Sequence, residues 1–128
     1  MIFILGIART PWTVHEVGTI TPIDVGQKVT GTIDSWYDVE AFSFEAVNGK
    51  HYMITTNTPL IDEALDSMLT LWYADGSTIL VFNDDYDGSS DSCIEWTAEA
   101  TGIFYITVES ADKASSGDYT LQIECISR

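Results

Sequence analysis

Basic residues are scarce in this chain. Five lysines and arginines stand against twenty aspartates and glutamates in 128 residues, a formal charge of −15. Such a surface repels phosphate backbones and anionic lipid headgroups, which excludes nucleic-acid binding and argues against membrane association. It favours cations and keeps a protein soluble at high salt. Membrane insertion is excluded separately, because no apolar run approaches the roughly 18 residues that a span needs. Histidine is limited to His15 and His51, and His51 opposes Tyr52 and Ile54 in strand parity, so it reads as a surface side chain. Catalytic motifs are missing too: there is no Gly-x-Ser-x-Gly elbow, no His-Glu-x-x-His zinc helix and no glycine-rich phosphate loop. Carboxylates are plentiful, but glycosidase chemistry needs one of a pair raised in pKa within a cleft. The expectation is a protein that is not an enzyme.

Cysteine occurs twice, at Cys93 and Cys125. A disulfide between them fits a secreted protein and would contribute roughly 3–4 kcal/mol in the chain-entropy model. Strand parity points the other way. Cys125 shares the parity of Leu121 and Ile123, expected inward, whereas Cys93 opposes Ile94 and Trp96, also expected inward. Pairing therefore requires a bulge or a strand end; two free thiols are the alternative.

What the chain has in quantity is alternation. Apolar residues make up 45% and aromatics 12%, enough to exclude disorder and to build one domain with a real core. Period-two patterns run over Lys28–Asp34, Val39–Ala46, His51–Asn57, Ser67–Ala74, Ser77–Phe82, Cys93–Ala98, Ile103–Glu109 and Asp118–Ile126. Turn signals separate them, at Asn48-Gly49, Asp75-Gly76 and Thr101-Gly102. Leu69, Leu71 and Tyr73, then Phe104, Ile106 and Val108, then Tyr119, Leu121 and Ile123 are the inward sets. Only Pro59–Asp66 reads as a possible single helical turn. Eight or nine short strands at such intervals indicate an all-β sandwich or barrel. Residues 1–18 differ in character and read as an N-terminal arm or strand, with 19–128 as a single β-sandwich domain. Within the arm, Ile2–Ala8 is apolar and reads as a strand closed by Arg9-Thr10-Pro11, with a signal-peptide remnant as the other reading.

The stretch from Asn83 to Ile94 carries the strongest chemical signal. Oxygen-bearing side chains recur at Asn83, Asp85 and Asp87, Gly88 follows, and Asp91 closes the set. Alternate spacing turns several oxygens onto one centre in a tight loop, and Ca²⁺ wants six to eight of them at about 2.3–2.6 Å. Helix-loop-helix calcium sites end on a bidentate glutamate at position twelve. Here Ile94 holds that place, and the flanks read as strands, so the loop is expected between two β-strands. Asn83, Asp84, Asp85, Asp87 and Asp91 are the candidate calcium ligands. Asp84 and Asp85 point apart in extended backbone, so the adjacent acids do not ligate together. A solvated acidic turn is the plainer alternative.

Parity also places Trp72 and Tyr105 outward, opposite the core sets. Exposed aromatics mark recognition surfaces, so both are candidate binding residues. The competing expectation is that the arm or loops cover that face.

From about residue 28 to 126 the order of segments resembles the bacterial pre-peptidase C-terminal domain family. Gly31-Thr32-Ile33 precedes Asp38-Val39-Glu40-Ala41-Phe42-Ser43-Phe44. Leu69-Thr70-Leu71-Trp72-Tyr73-Ala74-Asp75-Gly76 follows, then Asn83-Asp84-Asp85 and Ile94-Glu95-Trp96-Thr97-Ala98. Gly102-Ile103-Phe104-Tyr105-Ile106-Thr107-Val108 and Ser116-Gly117-Asp118-Tyr119-Thr120-Leu121 close the series. The resemblance implies an antiparallel jelly-roll β-sandwich of secreted proteins, appended to peptidases and similar to calcium-using collagen-binding modules. Two departures stand out: the 128 residues hold no peptidase domain, and Glu40 stands where the family pattern usually has Asp. The expected function is a non-catalytic, secreted or cell-surface, calcium-binding module that holds an extracellular protein or polysaccharide. The alternative is a self-assembling structural subunit of an extracellular filament or surface layer, with Ile2–Ala8 adding to a neighbour's open sheet edge.

Overall fold

Strands form where the alternation lies. The computed structural model describes residues 13–35, 37–58, 65–84, 91–111 and 116–126. The expectations for Ile2–Ala8, for most of Pro59–Asp66, and for Asp85 and Asp87 fall outside those residues. Described are a 3-10 helix, Val14–Val17, and nine strands: β1 (Ile20–Pro22), β2 (Lys28–Ile33), β3 (Val39–Ala46), β4 (His51–Asn57), β5 (Ser67–Trp72), β6 (Ile79–Asn83), β7 (Cys93–Thr97), β8 (Gly102–Ser110) and β9 (Gly117–Cys125).

They build two facing sheets, β1-β3-β8-β5-β6 and β2-β9-β4-β7. This is the all-β antiparallel sandwich expected from the sequence, with one departure. β1 pairs parallel with β3, Ile20 facing Ala41 and Pro22 facing Ser43. Three residues are too few for alternation to reveal a strand, which is why the pattern misses it. All other ladders are antiparallel.

Turn chemistry sets the registers. Gly49 and Gly76 hold positive φ, 91° and 73°, conformations that glycine enters without steric cost. In the β5–β6 hairpin, Asp75 Oδ1 accepts from Ser77 N and Thr78 N at 2.9 Å each. Thr78 Oγ1 donates to Asp75 Oδ2 at 2.8 Å. Partial burial pushes the Asp75 carboxyl up, but these bonds outweigh it and hold the group below its usual range.

The core lies between the sheets. Ile33, Ile54, Leu69, Leu71, Ile106, Val108, Leu121 and Ile123 are wholly buried there. At one end the rings of Phe44 and Phe104 meet those of Tyr52 and Trp96 from the opposite sheet. Trp96 and Phe104 approach to 4.9 Å at 61°, and Phe44 and Tyr52 to 5.7 Å at 73°. These edge-to-face geometries add about 0.5–1.5 kcal/mol per pair beyond area burial. Tyr73, expected inward, leaves the alternation: the register slips between Leu71 and Trp72, and Tyr73 is exposed at the rim.

The disulfide does not form; both cysteines are free. Cys93 pairs with Thr55 on one side of β4, and Cys125 with Tyr52 on the other. Two strand spacings amount to about 10 Å, beyond the roughly 7 Å at which Cα atoms can be bridged. Thr55 and Tyr52 also lie on opposite faces of β4, so the two thiols do as well. The parity mismatch in the sequence was the correct signal.

Candidate functional site

β6 is one edge of the five-stranded sheet and β7 one edge of the four-stranded sheet. The oxygen-rich segment is therefore flanked by two β-strands, as its neighbouring residues require, and those strands belong to different sheets. Its described ends are fixed to the scaffold. Asn83 Oδ1 accepts from Cys93 N at 3.1 Å. Asp91 Oδ1 accepts from Thr58 N and Thr58 Oγ1, both at 3.0 Å. Asp84 is exposed beside Asn83. Next to Asp91, a buried hydroxyl network joins the sheets. Thr56 Oγ1 and Ser67 Oγ lie 2.8 Å apart, Ser67 Oγ and Ser92 Oγ 3.2 Å, and Ser92 Oγ donates to Ser67 O at 2.8 Å. Buried hydroxyls are costly unless bonded, and here each meets another. Asp91 thus adjoins a polar, hydrogen-bonded seam between the sheets. Among the described residues, no three His, Cys, Asp or Glu side chains converge to hold a metal; Asp85 and Asp87 lie outside them.

The outward aromatics do not form an open surface. Trp72 is only 1% exposed. It packs with Val14, Ala41 and Tyr105 in a second, smaller apolar cluster, and its indole N–H donates to Thr107 Oγ1 at 3.0 Å. Tyr105 is half-buried, with the His15 ring edge-on at 5.3 Å. The 3-10 helix lies over this face, tied by a Val14 N to Gly76 O bond of 3.0 Å. Parity placed both aromatics on the outer side of the sheet. The exposure expected of them is corrected in favour of the competing expectation: Val14–Val17 covers that side, because Trp72 and Ala41 need a partner and Val14 supplies it. Tyr37, in a turn, is 71% exposed instead. It lines an open groove of about 570 Å³ with Glu16, Asp34 and Asp38.

Glu40 has a structural partner. Tyr119 rises from β9 in one sheet and donates its hydroxyl to Glu40 Oε1 on β3 in the other. Gly31 makes room for this pair: a Cβ there would lie 2.6 Å from both Glu40 Oε1 and Tyr119 Cζ. Burial first, then the hydrogen bond and charge of Glu40, push the Tyr119 phenol far above its ordinary range. Sequence reasoning placed Tyr119 inward but saw no reason for Gly31. The signal was a glycine inside a strand, which marks a close approach.

No family model and no curated protein matches this sequence. Solved structures do. The pre-peptidase C-terminal domain of a collagenase from Bacillus anthracis superposes with a TM-score of 0.67 at 15% identity, covering 83% of this chain and 95% of that one. The chain has the pre-peptidase C-terminal domain fold. The same fold relates it to a periplasmic inhibitor of g-type lysozyme from Aeromonas hydrophila, with TM-score 0.59, 15% identity and coverage of 83% and 96%. It is also similar to CorA, a surface-associated copper-binding protein of Methylomicrobium album BG8, with TM-score 0.60, 13% identity and coverage of 84% and 98%. At these identities the likeness concerns architecture, and it agrees with the resemblance carried by the ordered segments.

Proposed function

We propose that this chain is a non-catalytic binding module that works outside the cytoplasm, with calcium stiffening its β6–β7 crossing loop. The observation that carries the reading is that the segment with alternating oxygens is flanked by β6, an edge of one sheet, and β7, an edge of the other. A cation there ties the two layers together and offsets like charges on a chain of net charge −15. Asp85 and Asp87 are the principal ligands in this reading. Asn83 and Asp91 each spend one oxygen on the scaffold, which positions the loop ends, and Asp84 points elsewhere. The neighbours support a role in binding at the cell exterior: one is described as a periplasmic lysozyme inhibitor and one as a surface-associated copper-binding protein. The partner is an extracellular protein or polysaccharide, reached through the loops and the outer face of the four-stranded sheet rather than through Trp72.

Thermal melting in millimolar Ca²⁺ and in chelator tests the reading. The wild type is expected to melt higher in Ca²⁺. The Asp85→Ala, Asp87→Ala double variant should lose that gain while melting as the wild type does in chelator. Equal wild-type melting in both buffers refutes the calcium loop.

A further inference from the structure

The outer face of the four-stranded sheet holds a histidine set for a task that the calcium loop does not use. His51 on β4 lies opposite Thr97 on β7, with Glu95 one step along the same face. Nδ1 of His51 meets Thr97 Oγ1 at 2.6 Å, which fixes the ring. Nε2 then faces Glu95 Oε1 at 3.3 Å. A charge-assisted hydrogen bond prefers about 2.7–2.9 Å, so this pair is loose as an ion pair. As a metal bite it fits. A tetrahedral Zn²⁺ with Zn–N and Zn–O near 2.1 Å places its two ligand atoms about 3.4 Å apart. With the ring proton on Nδ1 and donated to Thr97, the Nε2 lone pair and the carboxylate confront each other, and a cation between them removes the repulsion. A hydrogen bond to the second ring nitrogen is how metal-binding histidines are oriented.

Among the described residues one chain supplies two such ligands, and no third His, Cys, Asp or Glu converges there. Cys93, on the same face of β7, pairs with Thr55, four positions along β4 from His51. We infer that His51 and Glu95 form half of a Zn²⁺ site, and that a second copy of this chain, related by a two-fold axis, completes it as a His₂Glu₂ tetrahedron.

Access supports this. Glu95 and His51 expose 56% and 33% of their side chains, and β7 is a sheet edge. Thr55 and Thr97 beside them are short. The described helix covers the other sheet. An isologous contact needs only that the same patch meet itself. The cation also offsets the repulsion between two strongly acidic chains, which at about 0.15 M salt is screened beyond roughly 8 Å.

Light scattering with size exclusion, with and without zinc chloride, tests the inference alongside metal titration by calorimetry. Zinc is expected to double the 14.1 kDa monomer mass at one metal per two chains, and chelator to reverse it. His51→Ala and Glu95→Gln should each abolish the doubling. Glu45→Gln, an equal charge change on the other sheet, should leave it intact. Ca²⁺, which takes oxygen ligands, should not replace zinc, so this outcome is independent of the β6–β7 loop. The inference is overturned by a dimer that persists in chelator, by doubling that survives His51→Ala, or by one metal per monomer without doubling.

Discussion

Replacing Tyr119 by phenylalanine isolates the bond between β9 and β3 that joins the two sheets. The ring and its packing remain, and only the hydroxyl that Glu40 accepts is lost. A hydrogen bond to a charged group contributes about 1.5–3 kcal/mol. Unfolding entropy of about 2.1 cal/mol/K per residue gives this chain roughly 0.27 kcal/mol/K, so melting should fall by about 6–11 °C at pH 7. The pH dependence is a sharper check. The folded phenol titrates far above its ordinary range, whereas the unfolded one ionises near pH 10. Below pH 10 neither state loses the proton, and the stabilisation is fully present. Above it, the unfolded chain releases a proton that the folded chain keeps, and stability falls by about 1.4 kcal/mol per pH unit from this group alone. Tyr119→Phe lacks that loss. The wild-type and variant stability curves, measured by urea unfolding between pH 7 and 11.5, should run parallel to about pH 10 and then converge. A drop in melting below about 2 °C at pH 7, or a gap unchanged at pH 11.5, refutes the role assigned to this bond.

Gly31→Ala drives a methyl group into the same pair and should cost about 2–4 kcal/mol through overpacking and displacement of the hydroxyl. In a Tyr119→Phe background the cost should be clearly smaller, and strict additivity in urea unfolding would show that the two sites do not interact. Val14→Ala thins the cover over Trp72 and should cost about 1–3 kcal/mol. It should also speed hydrogen exchange of the Trp72 indole N–H seen by NMR; unchanged exchange would mean that the arm does not shield this ring.

The architecture was legible because most strands are half-buried, and burial on one face writes a period of two into the residues. Val39–Ala46 and His51–Asn57 have the very bounds that alternation suggests. Trp72 and Tyr105 show where such reasoning stops. Parity assigns a side of a sheet, but whether that side meets water depends on what folds over it, and Val14–Val17 carries no periodic signal. Asp75-Gly76 was readable as a hairpin because its chemistry is local. The pairing of Tyr119 with Glu40 spans 79 positions and left a trace only in Gly31. For the acidic loop, spacing marks the candidate oxygens, and the fold adds the fact that its two flanking strands belong to different sheets. His51 looked ordinary in the sequence because its partners, Glu95 and Thr97, reach it only through the β4–β7 ladder.

The separation of Cys93 and Cys125 by an intervening strand bears on how the chain reaches its native state. No covalent cross-link within the monomer is available to wait for, so maturation requires neither an oxidase nor an isomerase. A reducing cytosol and an oxidising exterior should yield the same product, and reductant should leave its heat resistance unaltered.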